Sequence, residues 1–167
     1  ADAWNALFHY NSDNYAELVV RTLRLPRTCY AVVLGAGLGL SGTIAQAITR
    51  NPLADPSILG VSSGATLAVV IAVYFFGLTA PYQYVWFAFV GALLASLLVF
   101  IMSSAGRAGA TPAKVALAGI VISAMLSSWT SGLLLLDRET MDVVRFWMAG
   151  SLAGRDLHTL YWLAPFI

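Results

Sequence analysis

The chain has 167 residues, of which 59% are hydrophobic and only 10% charged. Nine Lys+Arg against eight Asp+Glu leave a net charge of +1, which offers no basic footprint for a phosphate backbone and excludes a nucleic-acid-binding module. A soluble domain is about 25% charged and cannot hide this much apolar surface, so an integral membrane protein remains.

The start of the chain, up to Tyr15, is polar and aromatic, without the basic start and apolar centre of a signal peptide. Residues 1–27 end on Arg21, Arg24 and Arg27, spaced by three. There is no initiator Met, and the chain stops at Ile167 inside an apolar run that begins near Leu160. The sequence therefore reads as an internal piece of a longer membrane protein.

Crossing about 30 Å of hydrocarbon at 1.5 Å per residue takes roughly 20 apolar residues. Stretches of this kind are predicted at 28–48, 57–76, 84–102 and 112–136, and a fifth begins near residue 159. Only Lys114, near the start of the fourth, puts a charge in any of the four. The runs do not alternate as barrel strands would, and helices satisfy their own backbone polar groups, as lipid demands. The fold class is an all-α, polytopic transmembrane helical bundle.

Between the first two spans, Asn51-Pro52 and Asp55-Pro56 break the chain, and Asp55 is placed to cap a helix with Pro56 at its first position. Thr111-Pro112 repeats that arrangement before the fourth span. Tyr82, Tyr84 and Trp86 cluster at one end of the third span, and Tyr161 and Trp162 at the start of the fifth, as interfacial belts do. After the fourth span, residues 137–158 mix seven charges with the apolar Val143, Val144, Phe146, Trp147 and Met148, which suits a short helix outside the bilayer. An even number of crossings puts 1–27 and 137–158 on one side and the short loops on the other. Six arginines (Arg21, Arg24, Arg27, Arg138, Arg145 and Arg155) lie on the first side, which by charge alone would make it cytoplasmic.

Gly37-Leu38-Gly39-Leu40-Ser41-Gly42 matches a dinucleotide-binding spacing, but that fingerprint needs a preceding strand and here falls within an apolar span. Packing is the better reading. Gly35 and Gly39 are four apart on one helix face, as are Gly60 and Gly64 in the second span, and small residues at this spacing let helices approach closely. The Gly60 segment also fits a helix break that exposes backbone to a pathway. In the fourth span Ser123, Ser127, Thr130 and Ser131 share a face. They fit either hydroxyls bonded back to their own helix or a weakly polar wall of a transport pathway. Gln46, an amide within a span, is expected to face protein and bond to another helix. Arg50 and Asp55 flank a turn, where an ion pair or a cap is expected. His9 and His158 have no partners at ligand spacing, so no metal site is expected, and Cys29 reads as a small hydrophobe. There is no phosphate-binding loop, nucleophile elbow or zinc-protease motif. No cofactor and no catalytic residues are expected.

Leu23-Arg24-Leu25-Pro26-Arg27, Gly35 to Gly42, Gln46, Arg50-Asn51-Pro52-Leu53-Ala54-Asp55-Pro56 and Leu59-Gly60-Val61-Ser62-Ser63-Gly64-Ala65 stand in an order and spacing that closely resembles the FecCD-type permeases. Leu117-Ala118-Gly119 and Phe146-Trp147-Met148-Ala149-Gly150-Ser151 extend the likeness over nearly the whole chain. These are the membrane subunits of ABC importers for iron-siderophores, haem and cobalamin. The resemblance implies a ten-helix, type II importer subunit of the bacterial inner membrane that dimerises around a central pathway, with this chain as helices two to five and the start of the sixth. It also implies that 1–27 and 137–158 are extracytoplasmic, against the charge count, and that Arg50, Asn51, Pro52, Asp55 and Pro56 form a cytoplasmic turn.

The implied partners are a second permease subunit, cytoplasmic ATPase subunits and an extracytoplasmic substrate-binding protein, in contact with lipid and without nucleic acid. Arg24 and Arg27 match the positions that dock the binding protein, and Ser123, Ser127 and Thr130 lie on the helix that borders the pathway. Two rivals remain. One is a helical scaffold whose small residues only pack. The other is an intramembrane enzyme, which the lack of a charged or nucleophilic pair at mid-membrane disfavours.

Overall fold

The computed structural model describes residues 4, 6, 14–52, 54–105 and 109–150. The expected fifth span, Tyr161 and Trp162, and both histidines, His9 and His158, lie outside the described residues. The chain divides into two compact units, residues 1–40 with 151–167, and residues 41–150. No strand occurs among the described residues.

The first helix, α1, spans Tyr15–Thr49. It begins earlier than the polar composition of residues 1–27 implies, because Asn14 caps it. The Asn14 side-chain oxygen accepts from the Ala16 N–H at 3.1 Å, and its amide donates to Glu17 Oε1 at 2.9 Å. Val20–Arg24 widens into a π-turn, with the Leu25 N–H bonded to the Val20 carbonyl. The cause lies just beyond it. Pro26 has no N–H to give and its ring crowds the carbonyl four residues back, and an inserted residue relieves this inside a continuous helix. At the other end the Asn51 N–H reaches the Gln46 carbonyl at 3.2 Å while Arg50 adopts a left-handed φ of 49°. This is the helix stop usually built with glycine.

The second span is not one continuous helix over 57–76. Pro56–Leu59 forms a 3-10 turn, Gly60 takes φ 74°, and α2 runs over Val61–Phe76. With 16 residues α2 covers about 24 Å, and the turn supplies about 8 Å more at 2 Å per residue. The remaining elements are α3 (Pro81–Ser104), α4 (Pro112–Leu136) and α5 (Arg138–Ala149). Three helices, Tyr15–Thr49, Pro81–Ser104 and Pro112–Leu136, are long and apolar enough to cross a membrane. Thr111 caps α4 through the Lys114 N–H at 3.4 Å. The Lys114 ammonium bends back to the carbonyls of Ala105 and Gly109, each at 3.1 Å, and so keeps its charge out of the apolar run.

Within residues 41–150, α2 and α3 form an antiparallel hairpin and α4 runs alongside α2. One core cluster joins Leu67, Ala95, Val99, Val115, Ile122 and Leu126. The other, towards the far end of α2, joins Val69, Val70, Ala72, Val73, Tyr84 and Val144. The second cluster is closed by α5, which turns off α4 at Asp137 with Val144 only 1% exposed. Asp137 accepts from the Thr140 N–H at 2.8 Å and from its hydroxyl, which holds the Asp137 carboxyl below the usual carboxylate range. The outward surface is apolar along whole helices, with Leu93, Leu97, Phe100 and Ile101 of α3 and Leu117, Ile120 and Val121 of α4 exposed. Such continuous apolar surface belongs in lipid or against further helices, not in water.

Candidate functional site

The arginine segment lies on α1. Arg24 and Arg27 flank Pro26, and both are exposed. Neither forms an ion pair among the described residues, unlike Arg145, which pairs with Asp142 at 3.3 Å. Helix rather than loop thus sets their separation, with Arg24 in the widened turn and Arg27 beyond the proline.

The turn between α1 and α2 is built from local hydrogen bonds. Asp55 accepts from the Ser57 N–H at 2.8 Å. Hydrogen bonds from the Ser57 side chain and backbone hold its carboxyl below the usual range. The Ala54 N–H donates to the Asn51 carbonyl at 3.1 Å and the Ile58 N–H to the Asp55 carbonyl at 3.1 Å. Of the two roles expected of Arg50 and Asp55, the cap is present. No ion pair joins them among the described residues, and Arg50, Asn51 and Pro52 point their side chains outward. Gln46 is exposed too, so the interhelical bond expected of its amide is not made among the described residues. The exposed second face of α1 is where a further helix would have to supply it.

Along α4 the three pathway candidates have three different surroundings. Thr130 is 6% exposed and gives its hydroxyl to the Leu126 carbonyl at 2.9 Å. Ser127 is exposed. The Ser123 hydroxyl is buried without a hydrogen-bond partner among the described residues. Helical spacing puts them on one face, but that face is buried at Thr130 and open at Ser127. Ser131 bonds back to the Ser127 carbonyl at 2.9 Å. An open apolar groove of about 420 Å³ runs between α2 and α4, walled by Leu67, Ile71, Phe75, Trp129, Leu133 and Leu136, and none of the three hydroxyls lines it.

The glycines divide sharply. A methyl on Gly64 would overlap the Ala95 methyl and the Gly91 carbonyl oxygen, and one on Gly91 would overlap Ala68 and the Gly64 carbonyl oxygen. The backbones of α2 and α3 touch here. Gly119 of α4 lies against the Ile58 carbonyl so closely that a Cβ would collide with it. Around Gly60 the nearest atoms stand at ordinary distance, 3.5 Å for Val99 Cγ2 and 3.6 Å for the Ala95 methyl. At Gly35 and Gly39 a Cβ would meet nothing within 4 Å among the described residues. Gly91 was missing from the sequence-based candidates, although Gly91 and Ala95 carry the same four-residue spacing that marks Gly60 and Gly64.

The chain matches the FecCD transport family over residues 1–167. It is 45% identical over 142 residues to the ferric enterobactin transport system permease protein FepD of Escherichia coli (strain K12), covering 85% of this chain and 42% of FepD. It is 38% identical over 163 residues to the probable siderophore transport system permease protein YfiZ of Bacillus subtilis (strain 168), covering 98% of this chain and 49% of YfiZ. A solved structure of an ABC transporter described as metal-chelate type, in an inward-facing conformation, superposes with a TM-score of 0.73 at 28% identity over 96% of this chain and 53% of that one. The chain spans about half the length of the curated relatives it matches. It belongs to the FecCD transport family.

Proposed function

We propose, from that membership, that the chain is part of the membrane-spanning subunit of an ATP-driven importer of ferric chelates. The observation that carries this is the family match along all 167 residues, joined to relatives named for ferric enterobactin, siderophores and iron(3+)-citrate. The helices supply a conduit and no chemistry. ATP would be hydrolysed on separate subunits, and the chelate would arrive on an extracytoplasmic binding protein. In this reading Arg24 and Arg27 meet acidic groups on that protein, and their exposure without ion pairs favours it. Individually such pairs contribute only about 0.2–1 kcal/mol, but they steer encounter and fix register.

Ser123, Ser127 and Thr130 mark the α4 edge that borders the pathway, with Ser127 as the hydroxyl already open to it. A wall of small and weakly polar groups holds a bulky complex loosely, so that it can leave as readily as it enters. The turn holding Arg50, Asn51, Pro52, Asp55 and Pro56 is the cytoplasmic end. Gly35 and Gly39 face helices supplied by the rest of the subunit or by its partner.

The test is uptake of radiolabelled ferric chelate into proteoliposomes containing the full-length permease, its ATPase and its binding protein. Uptake should require ATP and fall to background when the binding protein is omitted. ATP-independent or absent uptake for ferric enterobactin, ferric citrate and ferric hydroxamates alike would sink the reading and leave a packing scaffold. Replacing Arg24 and Arg27 together by Glu should slow association of the binding protein and weaken its salt dependence without affecting membrane insertion. Equal rates at low salt would assign the arginines to the lipid surface.

A further inference from the structure

The break at Gly60 divides the second span mechanically as well as geometrically. The Gly60 N–H returns to the Ser57 carbonyl at 2.9 Å, and the Gly60 carbonyl receives the Gly64 N–H at 2.9 Å. Among the described residues no backbone hydrogen bond passes from α2 to the turn Pro56–Leu59. The backbone link between the two pieces is therefore the dihedrals of one residue, and that residue has no side chain to resist rotation.

Leu67 of α2 also packs in one core cluster with Val115, Ile122 and Leu126 of α4, but the tightest backbone contact of each piece is with a different helix. The turn is held by α4, where the Ile58 carbonyl oxygen lies against Gly119 as an acceptor for its Cα–H, a contact of the C–H···O kind. The helix is held by α3 through the reciprocal Gly64 and Gly91 contact. Packing around Gly60 itself is looser than at either of these, at 3.5–3.8 Å from a Cβ position to Val99, Ala95 and Ile122. One turn further along α4, the buried Ser123 hydroxyl has no partner among the described residues, whereas Ser128, Thr130 and Ser131 on the same helix all bond back to the carbonyls four residues earlier. An unpaired buried hydroxyl penalises the packing that buries it. A shift of α4 against the α2–α3 hairpin that admits water removes the penalty.

We infer that Gly60 is a hinge at which the turn Pro56–Leu59, clamped by Gly119, moves with α4 while α2 stays with α3. Displacement of α4 is thereby delivered to the exposed Arg50-Asn51-Pro52 corner at the same end of the bundle. The inference rests on the transport reading only for the cause of the motion, the cycle of an attached ATPase.

The full-length permease with Cys29→Ser, reconstituted with its ATPase in nanodiscs, carries spin labels at Ser57→Cys with Ser128→Cys in one sample and at Ser57→Cys with Tyr74→Cys in another. Distances are read without nucleotide and with nucleotide trapped by vanadate. The turn-to-α4 distance should be the same in both states, and the turn-to-α2 distance should shift. Gly60→Ala disfavours the left-handed conformation by about ten-fold in population and should remove the shift. Gly60→Asn, which tolerates that conformation, should restore it. An invariant Ser57–Tyr74 distance, or a Ser57–Ser128 distance that changes as much, overturns the hinge. Uptake by the same labelled protein, reconstituted with its ATPase and binding protein in proteoliposomes, is a separate readout: its absence counts against the transport reading, and uptake with an invariant Ser57–Tyr74 distance counts against the hinge alone.

Discussion

Gly35 and Gly39 on α1 share their spacing with Gly60 and Gly64 around the start of α2, yet the two pairs stand in opposite surroundings. The Gly64 backbone touches that of α3, with no room for a methyl, while Gly35 and Gly39 have open space beside them among the described residues. A small-residue pair states that a helix can be approached closely. Whether it is approached depends on a second helix, and for α1 the described residues supply none at that face. The difference separates glycines that build this part of the subunit from glycines left for another.

Substitutions sharpen the contrast, and the largest effect belongs to Gly119. Gly119→Ala drives a methyl into the Ile58 carbonyl. Backbone cannot step aside as a flexible side chain can, so the cost should lie at or above the upper end of the about 1–3 kcal/mol typical of overpacking. The assembled subunit should lose thermal stability in detergent, and a wild-type melting temperature would show that the turn is free to move. Gly64→Ala should cost about 1–3 kcal/mol, since it overlaps one carbonyl and one methyl that can partly yield. Recovery of folded protein after size-exclusion chromatography reads this, and a fully recovered variant would break the claim that α2 and α3 touch there.

Gly39→Ala should have the opposite sign. A methyl meets nothing within 4 Å among the described residues, and removing glycine from a helix interior stabilises by about 0.5–1 kcal/mol. Gly39→Leu should leave the subunit folded but reduce recovery of the complete transporter. Normal assembly with Leu at that position would mean that α1 faces lipid at that point.

The smallest effect is expected at Asp55. Hydrogen bonds from Ser57 lower its pKa in the folded chain. The cap therefore contributes fully above the unfolded carboxylate range and is lost as pH falls through the depressed folded value. Wild type and Asp55→Asn, which keeps a neutral cap, should differ in thermal stability at neutral pH and converge under strong acid. A gap that widens on acidification would reverse the assignment.

Much was legible in the residues themselves. Apolar runs placed α3 and α4 to within three residues, because a helix in lipid must be long, apolar and free of charge. Asp55-Pro56 and Thr111-Pro112 announced helix starts, because a cap and a proline act within one turn. The early start of α1 at Tyr15 was hidden, since the polarity of residues 1–27 describes what surrounds a helix and not whether one forms. The split of the second span was half legible, since the Gly60 segment fitted a helix break as well as close packing. Gly60 and Gly64 look alike in sequence, and only one of them adopts a left-handed φ.

Composition and pattern alone thus determined that this is a bundle of membrane-spanning helices and where α3 and α4 lie, and the quoted motifs carried the resemblance to the family. These follow from backbone hydrogen bonding and the thickness of a bilayer, which act on each segment separately. Tertiary structure alone decided that Gly64 meets Gly91, that Gly119 meets the Ile58 carbonyl, and that Thr130, Ser127 and Ser123 are respectively buried, open and unpartnered. Those outcomes depend on which helix lies opposite and in what register. Register is a relation between segments distant in sequence, so no local pattern encodes it.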